Sequence, residues 1–424
     1  MSVKTRLLTT VLAVALLLGV VIAGAGAGAP PTEPHLWPEI TIAHGNLDEI
    51  LPQIAYNHKH NEYLAVWHTT GTGQARTVHG ARISATGNLL AEFPINAHPS
   101  KDSVQPSVAY DPLHDRYLVV FAFDTSGSSS NMDLLGRFIP WQGPAAQFQS
   151  FPIITWPSHQ WTPGVAYGRA VEEFLVVWAN QDQSNAIPMY ISGKRLRAAD
   201  GSFPGGAGSD TTISHASQNR VNPALAYNLA RNEYLVVYDN GVDIFGTRYT
   251  GTLDHNFGGE FGIASWPDAE RQPDVTACSE ADQFLVTWQS LQGGSNEAIY
   301  GRFLSGSGTP LSVHQIDDTT GAEIEASVAC DHSGTHYLIA WQTEYTNNKF
   351  GIWARYVWPD KQMSPSFMVR HPSNSAGRTR PALAGGRAGF LAAWEHEREG
   401  GGFTDIHGRL VSPYALFTPI VRGQ

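Results

Sequence analysis

The sequence predicts an all-β fold, a seven-bladed β-propeller of four-stranded antiparallel blades, and three observations carry the prediction. A unit of 50 to 60 residues recurs seven times, opening at Pro52, Pro106, Pro163, Pro223, Pro273, Ala326 and Pro381. In step with it, an aromatic residue closes a second β-prone run at Trp67, Phe121, Trp178, Tyr238, Trp288, Trp341 and Trp394, and an Arg near a Gly follows at Arg82, Arg137, Arg195, Arg248, Arg302, Arg355 and Arg409. Each unit also contains four short β-prone runs between turn residues, as in "PALAY", "NEYLVVY", "DIFGTRYTG" and "FGIASW", with no sustained helical period. Four strands at this spacing fit blades packed face to face around an axis.

The elements follow in order along the chain. Lys4 and Arg6 precede an apolar run from Leu7 to Ala23, and "AGAGAGA" offers small-residue cleavage sites, so residues 1–27 read as a secretory signal peptide. The alternative is an uncleaved N-terminal anchor. Residues 28–38, "GAPPTEPHLWP", read as a Pro-rich linker. The propeller then spans 39–424, and "EITIAHG" at its start resembles a spare fourth strand that closes the ring, in competition with "ALFTPIVRG" near the C-terminus. Within a unit, the small residues of the first run suit the crowded innermost position. The second run, "YLVV" or "FLVVW", is apolar on both faces, as a strand between two neighbouring sheets must be.

Composition narrows the partners. The chain has 27 Lys and Arg against 38 Asp and Glu, a formal net charge of -11, and no basic cluster after the signal segment. Nucleic acid is therefore excluded as a partner, and no membrane span is expected once the signal is removed. The mature chain is expected to be secreted or extracellular. Only Cys278 and Cys330 are present. An oxidising compartment permits a disulfide between them, but their repeat positions differ by one residue, which turns equivalent side chains to opposite faces, so bridged and free thiols both stand.

With the first strand innermost, the turns between strands one and two and between three and four share one face of the disc. Loops between two and three, and the connectors between blades, share the other. First-face turns are short and regular. Second-face loops vary in length and chemistry, as in "AFDTSGSSSNMD", "ANQDQSNAIP" and "EHEREGGGFTD", and variable loops on a repeated scaffold are where binding resides. Six of the fourth strands end in a flat side chain: His44, His98, Trp156, His215, Trp266 and His371. These residues either stack on sugars or cap the blade ends. The residue before each opening position is Leu51, Gln105, Thr162, Asn222, Gln272, Glu325 or Arg380, and six of these seven are polar. They are expected to ring the mouth of the central channel as ligand-binding residues, with Arg220, Arg271 and Arg378 nearby.

Catalytic signals are sparse. Glycoside hydrolysis needs two carboxylates across the scissile bond, and the candidates near the mouth are Glu325 and Asp274, with Glu323 as an alternate. The repeated Arg reads as structural, binding backbone carbonyls or the acids Glu62, Glu173 and Glu233. No metal site and no cofactor is expected, because ligands on successive blades fan apart.

The unit P-x-V-A-Y-x(5)-E-Y-L-V-V-W … G-x-R resembles the repeats of secreted bacterial β-propeller proteins, and its first two strands resemble blades of the sialidase and related glycosidase propellers. The resemblance covers about residues 39–424 and implies the architecture. The sialidase Asp-box, S-x-D-x-G-x-x-W, is absent from every unit, and no catalytic residue is carried over. The combined expectation is a non-enzymatic binding propeller for an extracellular glycan or protein. The alternatives are a glycoside hydrolase or lyase at the channel mouth, and a structural module of a cell-surface assembly.

Overall fold

The second strand of each unit, from Glu62–Thr70 in the first to Phe390–Glu397 in the last, is buried along most of its length. Its alternate side chains serve two neighbours. Leu64 and Val66 pack with Tyr117, Val119 and Phe121 of the second blade, whereas Tyr63, Ala65 and Trp67 pack with Leu391 and Ala393 of the seventh. Because successive side chains of a strand point to opposite faces, burial of both sets requires a sheet on each side. The arrangement repeats around the ring as seven apolar clusters, each built from two adjacent blades.

The computed structural model describes residues 34–127, 131–142, 149–182, 188–214, 217–291, 296–317, 321–345, 349–373, 379–398 and 402–413. The proposed signal segment, most of the Pro-rich linker, His215, Arg378 and the C-terminal "ALFTPIVRG" lie outside them. Among the described residues, six blades are four-stranded antiparallel sheets in chain order and the seventh has five strands. The first strands, Asp48–Asn57, Ser103–Asp111, Ser158–Gly168, Val221–Asn228, Glu270–Cys278, Ala322–Cys330 and Ala382–Gly385, stand side by side in cyclic order around a shared axial cavity.

The seventh blade takes its fourth strand from the N-terminal side. Ile40–Ala43 pairs with the strand Thr404–Ser412, and His35–Leu36 pairs with Val411 and Ser412 of that strand. The blade thus begins inside the segment expected to be linker. Ile42 is 1% exposed and its Cδ1 lies 2.7 Å from where a Cβ on Gly408 would sit. Ile95, Ile153, Ile213, Ile263 and Ile316 crowd Gly80, Gly136, Gly193, Gly246 and Gly301 in the same way. That close approach explains the recurrent third-strand Gly, and it shows Ile42 occupying the slot of a sequence-local fourth strand.

The Arg marker, single in sequence, divides into two registers. Arg82, Arg195 and Arg248 stand two residues after the third-strand Gly and pair with Glu62, Glu173 and Glu233. Arg137, Arg302 and Arg409 stand one residue after it and donate to the carbonyls of Ile95, Ile263 and Val369, on the outer strand of the preceding blade. A one-residue shift reverses the face of a strand side chain. Consequently the first group pairs with its own blade's acid, Arg248 also donating to the Ser307 carbonyl of blade five, and the second fastens its blade to the one before.

Cys278 and Cys330 form a disulfide with a Cα separation of 5.6 Å, within the ordinary range. Their offset of one residue, read as unfavourable, is what the bridge needs: adjacent inner strands present opposite faces to one another. The same geometry sets Tyr56 of blade one against Arg387 of blade seven, and Tyr227 of blade four against Ala170 of blade three, each phenol accepting a backbone N–H.

Truncating the closing strand's anchor should be costly. Ile42→Ala is expected to lower stability by about 2–5 kcal/mol, read as a shift of the urea midpoint at unchanged slope. A loss under about 0.5 kcal/mol would show that ring closure does not rest on this side chain.

Candidate functional site

The residue preceding each opening position adopts the same unusual backbone. Leu51, Gln105, Thr162, Asn222, Gln272, Glu325 and Arg380 all have positive φ, between 25° and 56°, where a side chain costs about 1–2 kcal/mol. In the first six blades the pairing of the first strand with the second slips by one residue at this point. Such a bulge bends the strand and re-aims a side chain, and here it brings all seven side chains to the wall of one axial cavity.

The left-handed turn also presents backbone N–H groups to the preceding blade. Leu51 N donates to Glu395 Oε1 at 2.8 Å, Gln272 N to Asp239 Oδ2 at 3.1 Å and Glu325 N to Gln289 Oε1 at 3.0 Å. Thr379 N, one residue before Arg380, donates to Gln342 Oε1 at 2.6 Å. Each acceptor is the residue immediately after a closing aromatic. Blade two has Ala122 there, and Gln105 takes the role by accepting from Thr162 N at 3.1 Å. These acceptors were missed in the sequence, although their fixed offset from the aromatic marker was available.

The cavity has a volume of about 660 Å³. Beneath the seven mouth residues lie the opening residues, then Gln53, Ser107, Asp274 and Ser327 in four of the blades, and then Ile54, Val108, Val165, Leu225, Val275, Val328 and Leu383. Charge is concentrated in the arc of blades five to seven. Arg380 lies 3.6 Å from Glu325 and 3.5 Å from Glu395. Asp274 lies in the same wall, but its oxygens accept Val275 N at 2.8 Å and Val328 N at 2.9 Å, tying blade five to blade six. Burial nevertheless pushes its carboxyl up to about 6. Glu323 is 1% exposed and stands outside the cavity wall.

The flat residues at the fourth-strand ends are not gathered at this cavity. Trp266, which follows the fourth strand of blade four, packs on Tyr300 at 4.9 Å and Trp288 at 5.6 Å in blade five. His98 lies edge-on to Phe123 and accepts from Ser100 N, and His44 pairs with Asp405. Trp156 is 44% exposed and His371 is exposed. Arg220 is also committed elsewhere, to Glu260 at 2.6 Å.

Two residues before each of the first six mouth positions is a second polar layer, Glu49, Ser103, Gln160, Arg220, Glu270 and Glu323, all buried. Burial raises Glu49 to about 8, with Asp405 adding repulsion, and raises Glu270 to about 7. Burial likewise raises the Glu395 carboxyl. Among the described residues, Glu39, His396 and His407 bring potential metal-ligating atoms within 4.8 Å of one another. Arg370 Nη2 lies 3.1 Å from His396 Nδ1 and Arg409 lies 3.5 Å from Glu39, so cations already occupy this cluster's polar atoms.

No family model matches the chain, and no curated protein matches it. Among solved structures, the Cps50 (Swd1) β-propeller domain of Myceliophteria thermophila is 10% identical and covers 88% of this chain and 99% of its own, with a TM-score of 0.49. An oligogalacturonate lyase in complex with manganese is 7% identical, covering 90% of this chain and 98% of its own, with a TM-score of 0.49. The Hadza microbial sialidase Hz136 is 9% identical, covering 88% of this chain and 68% of its own, with a TM-score of 0.48. Their activities differ from one another, and none is transferred to this chain.

Two outcomes follow from the geometry. Leu51→Gly should raise stability by about 0.5–1 kcal/mol, because Gly relieves the left-handed penalty at a modest entropic cost; a destabilised variant in urea titration would contradict that backbone assignment. Stability should also pass through a maximum near pH 6.5. The folded chain holds protons on Glu49 to about 8 and Glu270 to about 7, whereas unfolded glutamate releases them near 4.5, so stability falls as pH rises toward 8. Burial depresses His58 and His396 to about 4 and His68 to about 3, below the usual 6.5, so stability also falls as pH drops from 6.5 to 4. Thermal midpoints across this range should show Glu49→Gln flattening the alkaline limb, and an unchanged limb would remove Glu49 as its source.

Proposed function

We propose that the chain is a secreted, non-enzymatic binding propeller that takes the end of an extracellular glycan, or a protein displaying one, at the second-face mouth. The observation that carries this reading is the cavity itself. One backbone geometry, repeated seven times, presents mouth side chains of six different types to a space of about 660 Å³. A scaffold role accounts for the repeated geometry but not for the variety. Gln105, Thr162, Asn222, Gln272, Glu325 and Arg380 supply donors and acceptors suited to sugar hydroxyls, and the apolar wall below supplies a surface for a ring face. Trp156 is exposed but does not line the cavity, so the reading does not depend on stacking there. The disulfide between Cys278 and Cys330 supports an oxidising, extracellular setting.

One observation favours a hydrolase as the second reading. Asp274, whose carboxyl burial pushes up to about 6, and Glu325 share the wall, and glycoside cleavage uses two carboxyl groups of unlike protonation. Against it, both Asp274 oxygens accept backbone N–H groups.

Because Gly fits the left-handed mouth positions, it removes side chains there without straining the fold. Glycan-array binding by the purified chain should therefore weaken by about tenfold or more in Gln272→Gly/Glu325→Gly, with the melting temperature maintained. Undiminished binding in that variant would sink the cavity reading. Turnover of chromogenic glycosides by the parent chain, abolished by Glu325→Gln, would replace binding with hydrolysis.

A further inference from the structure

The opposite end of the axis has its own chemistry. Six residues beyond each opening position, the turns between first and second strands carry His58, Pro112, Arg169, Leu229, Ser279, His332 and Arg387. None of the seven is acidic, although the whole chain has 38 acidic residues against 27 basic ones. Their side chains meet across the ring. The rings of His58 in blade one and His332 in blade six stack at 4.9 Å with an interplanar angle of 17°, spanning the intervening blade seven. Both imidazoles feel Arg387 of blade seven and Arg169 of blade three. Turns from blades one, three, six and seven can share one neighbourhood only at the axis.

The turns are held in place by contacts that do not use the cationic groups. Arg387 N donates to Tyr56 Oη at 3.2 Å, and Ala170 N, beside Arg169, donates to Tyr227 Oη at 3.1 Å. Tyr110 lies edge-on to His58 at 5.6 Å, and Tyr56 edge-on to His332 at 5.7 Å. Arg169 and Arg387 are exposed, and neither pairs with an acid among the described residues. Asp331, the acid beside His332, accepts from Ser333, Thr335 and His336 within its own turn. Like charges brought together without a counter-ion are destabilising, and bidentate guanidinium groups match carboxylate and phosphate oxygens.

We infer that the first-face mouth is an oxyanion site, in which Arg169 and Arg387 grip a carboxylate or phosphate group from two sides and the stacked His58 and His332 form its floor. It is separate from the second-face cavity and does not rest on the glycan reading. The groups acting on His58 are His332, Arg169, Arg387 and Lys59, and those acting on His332 are Arg387, Asp331 and Arg169. Burial and these cations hold both imidazoles neutral below their usual range. A bound anion offsets the repulsion and lets them protonate, so affinity should rise as pH falls.

The test is calorimetric titration of the full chain with inorganic phosphate and, separately, with D-glucuronate, at about pH 5.5 and 7.5 and fixed ionic strength, with D-glucose as the uncharged control. The expected result is binding of at least one anion and not of glucose, tighter at the lower pH. Affinity should fall about tenfold or more in Arg169→Gln/Arg387→Gln, with no loss in Arg197→Gln. Preference for phosphate or for glucuronate identifies which source of the oxyanion the site takes. Because the empty cluster repels itself, the double variant should melt no lower than the parent in the absence of anion. Absence of binding by both anions, retained affinity in the double variant, or a double variant that melts well below the parent would each overturn the inference.

Discussion

Everything in this molecule depends on a strand that cannot be buried by its own sheet. The second strand of each blade is apolar on both faces, and each face finds its partners in a different neighbour. At about 25 cal/mol per Å² of apolar surface, a lone blade would leave the contribution of both faces in water. The ring is therefore the smallest unit that satisfies the sequence, and the seventh cluster, between the last blade and the first, must form as the other six do. That requirement explains why Ile40–Ala43 is recruited from the other end of the chain, and why Ile42 reproduces the packing of five local isoleucines over a Gly.

The polar groups follow from the same constraint. Stacked sheets bury their edges' charged residues, and a buried charge needs a partner. In six blades the chain meets this with a third-strand Arg, whose register relative to Gly decides between an acid in the same blade and a carbonyl of the preceding one. At the axis, left-handed mouth residues turn N–H groups to acceptors placed just after the closing aromatics. The second Arg register and the mouth N–H groups link blade to blade, so the seams between blades four and five and between blades six and seven carry directional bonds near both their inner and outer ends.

The architecture was legible because apolar burial writes a periodic pattern, and three markers kept one register over seven units. What escaped was geometry that depends on a neighbour. Left-handed backbone normally announces itself through Gly or Asn, but only Asn222 among the seven mouth residues belongs to that pair, so the bulge left no mark. The cysteines were judged on one strand's faces, when the deciding relation was between facing strands of adjacent blades. The His and Trp residues at the fourth-strand ends formed a regular series, yet Trp266 turns onto Trp288 and Tyr300 while Trp156 stays exposed. Regular spacing along the chain fixes which slot a residue fills but not where its side chain is directed. The mouth positions line the cavity because the innermost strand has nowhere to begin except beside the axis.

The two ends of the channel then acquire different characters from one topological fact. Strands enter at the second face through long connectors and leave at the first through short hairpin turns. Entry places a bulge at the mouth, which directs one side chain per blade inward and leaves its identity free; the result is a polar rim with Glu325, Arg380 and Glu395 confined to one arc. Exit places a tight turn at the axis, whose tips are drawn together by the convergence of the blades, and here the tips are His58, Arg169, His332 and Arg387. Hairpin tips on a convergent array are closer to one another than their exposure suggests, so residues that look like isolated surface charges in the sequence act as one cationic cluster. A propeller of this kind can thus carry two unrelated recognition surfaces, one assembled from strand entries and one from hairpin tips, without any change to the apolar seams that hold it together.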